Sequence, residues 1–147
     1  MGKNLAKREE LLKFSRNPIS HEMFLKINPL SKPRMTQADR WKSRAVVVKY
    51  WNYRDEIYYS ALAQGYRPAD ELIMDFVIEM PKSWSKKKKE EMDGQPHQQT
   101  PDIDNLEKGI MDALFEEDKK VHRVLASKVW GKVGSVTIKN WSDLNIN

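Results

Sequence analysis

The sequence predicts an α+β fold: a single domain in which a mixed β-sheet is packed with helices. Three observations carry that reading. The chain has 147 residues, a length that suits one domain and can bury a core without covalent staples. Short strand-like runs near 22–28, 71–80, 120–130 and 133–141 are interleaved with segments whose apolar residues recur every three or four positions. Pro18, Pro29, Pro81 and Pro101 fall where those segments end.

Residues 3–16 read as a short amphipathic helix, with Leu5, Leu11, Leu12 and Phe14 set among Lys, Arg and Glu. Asn17-Pro18 ends it, so residues 1–19 form an N-terminal helical extension and 20–147 the domain. The first strand is EMFLKIN at 22–28, stopped by Pro29, and a basic loop from Ser31 to Thr36 follows. From Asp39 to about Ala63 the pattern is helical, carried by Trp41, Ala45, Val48, Trp51, Tyr58 and Leu62, although Val46-Val47-Val48 is a poor helix start. Residues 71–80 form a second strand, ended by Pro81. Ser83 or Ser85 caps a short helix through SKKKKEEM, and 93–101 is a polar loop. A helix then runs from about Asp104 to Phe115. Two closing strands, joined by Gly131 and Gly134, read as a tight connection of the hairpin kind.

Lys plus Arg number 26 against 21 Asp plus Glu, a formal charge of +5, which favours an anionic partner such as nucleic acid. The chain has no cysteine, which excludes a disulfide scaffold and a Cys-based zinc site. It also has no run of about 18 apolar residues. The opening MGKNLAKREELLKF is charged and periodic, unlike a signal peptide or anchor. The expectation is a cytoplasmic protein without a membrane partner.

The segment TPDIDNLEKGIMDALFEED is where chemistry is concentrated. Asp104 is a natural helix N-cap, with Glu107 placed as a capping box wants. At about 100° per residue, Leu106, Ile110, Ala113 and Leu114 share one buried stripe. Asp104, Lys108 and Asp112 form an i, i+4 ladder on the other side, with Asp102 in the loop before the helix. Two or three carboxylates beside an ammonium suit a hard divalent cation, of which magnesium takes only one or two ligands from protein. Such a metal acidifies a water and offsets charge on phosphorus during in-line attack. Lys108 would orient the water or stabilise the phosphorane, and Glu116, Glu117 and Asp118 supply further oxygens if the chain folds back. The same spacing also fits a plain capping turn with an Asp104–Lys108 helix ion pair. An EF-hand does not fit, because Leu106 and Glu107 stand where an oxygen ligand and Gly are required.

The string Pro101-Asp102-Ile103-Asp104-Asn105-Leu106-x-Lys108-x3-Asp112-Ala113-Leu114, followed by Glu117-Asp118, resembles the signature of the RusA family of Holliday-junction resolvases. The resemblance extends to Lys32-Pro33-Arg34-Met35-Thr36 and Pro81-Lys82-Ser83-Trp84-Ser85, over roughly residues 22–130. It implies that Asp102, Asp104 and Asp118 bind Mg²⁺, or Mn²⁺ as a substitute, and that Lys108 is the catalytic lysine. It further implies a homodimer in which each subunit nicks one strand of a four-way junction. Family members often carry two aspartates where this chain has Glu117-Asp118, which leaves Glu117 in doubt as a ligand.

Two basic stretches flank the acidic segment: Lys32, Arg34, Arg40, Lys42 and Arg44, then Lys82 with Lys86, Lys87, Lys88 and Lys89. Both would neutralise DNA phosphates, although the second, beside Glu90 and Glu91, also reads as a solvated helix face. Trp41, Tyr50, Trp51 and Tyr53 suit base stacking, but at helical spacing they suit a core better. His97 reads as a surface loop residue or as a group beside the metal or scissile phosphate. Alternatives to junction resolution are a less selective branched-DNA nuclease, a non-catalytic DNA-binding module and a protein adaptor.

Overall fold

The computed structural model describes residues 19–34 and 44–141. Their elements are β1 (Glu22–Leu25), α1 (Ala45–Gln64), β2 (Glu71–Glu79), α2 (Lys86–Met92), α3 (Ile103–Leu114), β3 (Arg123–Gly131) and β4 (Ser135–Asn140). The order is the one predicted. The expected helix at 3–16, with nearly all of the extension 1–19, and Arg40, Trp41 and Lys42 lie outside the described residues.

The strands form one mixed sheet in the order β1-β4-β2-β3. β2 pairs with β3 in parallel from Glu71↔Arg123 to Glu79↔Gly131, and with β4 antiparallel from Leu72↔Asn140 to Val77↔Ser135. β1 adds antiparallel to the other side of β4. The expected β3–β4 hairpin is therefore absent, because β2 lies between the two strands. Neither Gly131 nor Gly134 takes the left-handed φ of a two-residue hairpin turn. Gly134 instead permits a close approach: a Cβ there would stand 2.6 Å from the Asn28 Cα.

That approach also explains why β1 is shorter than predicted. After Leu25 the chain leaves the ladder, and the Asn28 Oδ1 accepts from the Glu79 N–H at 2.9 Å. On the outer side of β1, Gln64 bonds both backbone groups of one residue. Its Oε1 accepts from the Phe24 N–H at 3.1 Å and its Nε2 donates to the Phe24 carbonyl at 2.8 Å.

Alternation in β2 puts Leu72, Met74, Phe76 and Ile78 on the buried face, in rows with Met23 of β1 and Val136 and Ile138 of β4. Helices α1 and α3 pack against each other. α1 contributes Val47, Tyr50, Tyr53, Ile57 and Ala61 to the buried set. It ends at Gly65, whose φ of 71° suits a residue without a side chain. α3 contributes Leu106, Ile110, Ala113 and Leu114, the stripe that the spacing predicts. Burying each of the larger ones stabilises by roughly 1.5–3 kcal/mol. Gly109 completes the contact, since a Cβ there would already touch the Tyr50 and Tyr53 rings at 3.6 and 3.8 Å. Tyr50 and Tyr53 are thus core residues rather than stacking platforms. Among the described residues no helix is long and apolar enough to cross a membrane.

Candidate active site

α3 begins two residues earlier than the capping-box pattern implies. Asp102, not Asp104, is the extended N-cap (φ −70°, ψ 146°), and its side chain makes no capping bond. Its carbonyl accepts from the Asn105 and Leu106 N–H groups at 3.1 and 3.2 Å. Asp104 instead sits in the first turn, where a carboxylate opposes the positive end of the helix. Both aspartates stand exposed on one short backbone stretch. Glu107 adds to the negative field: its carboxyl is pushed up, first by partial burial and then by Asp104.

One turn along, the Lys108 Nζ lies 4.0 Å from the Asp104 Oδ2, with both side chains exposed. Such a pair contributes little to stability. Asp112, the third rung, is drawn elsewhere: its Oδ2 accepts from the Tyr50 hydroxyl at 2.8 Å and lies 3.8 Å from the Arg54 Nη1. That arrangement pushes the Tyr50 hydroxyl well above the ordinary phenol range, first through burial and then through Asp112. After Phe115 the chain turns back, and Lys32, Lys108, Asp112, Glu117, Asp118 and Lys119 line an open cleft of about 440 Å³.

Of the predicted site residues, Lys108, Asp118 and Lys32 share this cleft, and Asp104 adjoins it through Lys108. Asp102 lies at the helix start and does not line it. Glu117 faces the Lys119 Nζ at 3.2 Å. Among the described residues, no group of three His, Asp or Glu side chains stands close enough together to hold a metal ion. The available donors are all hard carboxylate oxygens, the class that magnesium selects, and that ion needs only one or two of them.

A family model for endodeoxyribonuclease RusA matches residues 26–139, a span that begins just after β1 and contains β2, β3, nearly all of β4, α3 and the cleft. The chain belongs to the RusA family. No curated protein matches it. Membership makes endonucleolytic chemistry on DNA the activity to be explained; Asp104 and Lys108 lie outside the buried stripe of α3, and Asp102 is exposed at its N-cap.

The basic residues divide into two places. Lys32 enters the cleft, and the Arg34 carbonyl accepts from the Arg44 Nη2 at 2.9 Å. Lys86 joins Lys82, Lys89 and Lys132 around a second concavity of about 270 Å³, while Lys87 is exposed beside it. Lys88 lies over the Trp84 ring at 4.2 Å. Lys132 gave no sequence signal, being a lone charge in a short link.

His97 corrects its expectation. It is 3% exposed and packs on Trp130 at 4.2 Å between ring centroids. It is not a surface loop residue, and its Nδ1 has no hydrogen-bond partner. The imidazole is held below its ordinary range by burial, then by Lys128.

Proposed function

We propose that this chain is a magnesium-dependent, structure-selective endodeoxyribonuclease that resolves Holliday junctions by paired nicks, in recombination and repair of cytoplasmic DNA. The observation that carries the reading is the meeting of Asp118, Lys108 and Lys32 in one open cleft, with Asp104 4.0 Å from Lys108, inside the span matched by the family.

One or two carboxylates drawn from Asp102, Asp104 and Asp118 would hold the ion, with Mn²⁺ as a substitute and with water and phosphate oxygens completing its shell. Magnesium, when bound, supplies an activated water and offsets the charge that builds on phosphorus. The chain's own residues do the rest. Lys108, exposed and free to pivot, offers its ammonium to a non-bridging phosphate oxygen as negative charge develops. Lys32, which also lines the cleft, neutralises an adjacent phosphate, and Lys82, Lys86, Lys87, Arg34, Arg40 and Lys42 are the further candidates for backbone phosphates. Hydrolysis leaves a 5′-phosphate and a 3′-hydroxyl. Paired nicks require two such sites related by a two-fold axis, and a closed homodimer provides them.

The test is cleavage of a labelled four-way junction, a flap and a plain duplex with Mg²⁺ or EDTA. Asp104→Asn is expected to abolish cleavage, and Lys108→Met to slow it about a hundredfold. Both should leave the melting temperature and junction binding in place, since the Asp104–Lys108 pair is exposed. Cutting that survives EDTA or Asp104→Asn would sink the proposal, and equal cutting of plain duplex would replace junction resolution with a less selective nuclease.

A further inference from the structure

In β3 the residues on the buried side of the sheet are Val124, Ala126, Lys128 and Trp130, in register with Leu72, Met74, Phe76 and Ile78 of β2. The alternation calls for an apolar residue at 128. The sequence puts an ammonium there, half-buried and opposite Phe76. An ammonium leaving water needs acceptors, and it finds two. The Lys128 Nζ donates to the Gln99 carbonyl at 2.6 Å and to the Pro101 carbonyl at 2.7 Å, short bonds of the charge-assisted kind.

The Pro101 carbonyl belongs to the peptide whose nitrogen is that of Asp102. Asp102 in turn accepts from Asn105 and Leu106, which closes the first turn of α3. The same strand position fastens the other end of the loop, since the His97 N–H donates to the Lys128 carbonyl at 3.0 Å. A stiff strand at the sheet edge is thus tied at both ends to the loop that delivers two acidic residues.

We propose that Lys128 is a positioning residue for the acidic site: by bonding the Gln99 and Pro101 carbonyls it fixes the backbone that presents Asp102 and Asp104. The inference rests on the reading that those carboxylates serve DNA cleavage. Lys128 touches neither carboxylate in this arrangement; it acts through the main chain. A displacement of about 1 Å at reacting groups costs roughly a hundredfold in rate, so loosening this loop reduces turnover while leaving phosphate contacts elsewhere intact.

The experiment compares Lys128→Met and Lys128→Gln, which remove the charge, with Lys128→Arg, which keeps it. Amide hydrogen exchange at Asn105 and Leu106 is measured alongside Ala113 and Leu114 at the far end of α3. Junction affinity and single-turnover cleavage are measured on the same proteins. In Lys128→Met, exchange at Asn105 and Leu106 should accelerate several-fold with Ala113 and Leu114 unchanged. Cleavage should fall about a hundredfold at unaltered affinity, and Lys128→Arg should recover much of both. Unchanged exchange at Asn105 and Leu106, or undiminished cleavage, overturns the proposal. If Lys128→Met and Lys128→Gln both fail to fold, the residue supports the whole domain and the positioning role is likewise overturned. Should the unaltered protein cut no DNA, the nuclease reading fails by itself, and the exchange comparison still decides whether Lys128 sets this backbone.

Discussion

At residue scale, burial changes what a side chain does, as His97 illustrates. Its ring lies against Trp130 with Lys128 nearby, and both burial and that charge disfavour the imidazolium. The folded state therefore binds its proton more weakly than the unfolded chain, whose imidazole titrates near pH ~6.5. His97 accordingly contributes stability above about pH 6.5 that is lost as pH falls below it. Melting temperatures taken from pH 7.5 to 5 should fall less steeply in His97→Phe than in the parent; equal slopes would exclude the effect. Other residues were easier to read. Asp104 and Lys108 were legible because helical spacing sorts them from Leu106 and Ile110, whereas Asp102, ahead of the helix, was marked by the resemblance. The Tyr50–Asp112 bond was not, because it joins positions 62 apart. Lys128 is a charge where β3's alternation wants an apolar side chain, and its partners are main-chain carbonyls that no side-chain pattern encodes.

Elements were legible where one face is buried. β2 and α3 declare themselves by apolar periods of two and of three to four, and both appear within a residue or two of expectation. Caps were less legible, because Asp102 and Asp104 are equivalent N-cap residues on paper and only the backbone angles separate them. α2 is the opposite case, an element with no buried residue. It is held at its start, where the Ser85 Oγ accepts from the Lys88 N–H at 3.1 Å and Lys88 covers Trp84. Ser85→Ala should cost about 1 kcal/mol locally. The effect should appear as faster amide exchange at Lys88 and Lys89 with little change in overall melting, since α2 has no fully buried residue and reaches the core only through Met92 at its far end; a large fall in melting temperature would contradict this account.

Over the whole molecule, strand order was the least legible feature. Pairing β2 with β3 in parallel joins segments separated by two helices, and no local pattern encodes which strand is central. The last two strands are close in sequence, yet β2 separates them, so the link from Gly131 to Ser135 must cross the end of β2 beside Asn28. Gly134→Ala would push a methyl onto the Asn28 backbone and should destabilise the domain by about 1–3 kcal/mol, seen as a lower denaturant midpoint with an unchanged slope. An unaltered midpoint would mean that the link has room to move. Gln64 bears on a different matter, how copies of this protein behave when crowded. β1 is the outermost strand on its side, and a bare margin of that sort invites a stranger's backbone to zip on. The Gln64 amide occupies both hydrogen-bonding sites of Phe24, in the middle of a strand only four residues long. What is left on either side is too short to template a growing ribbon. One side chain at the end of a helix thereby does the work of a missing neighbour, and discourages fibre growth from that border.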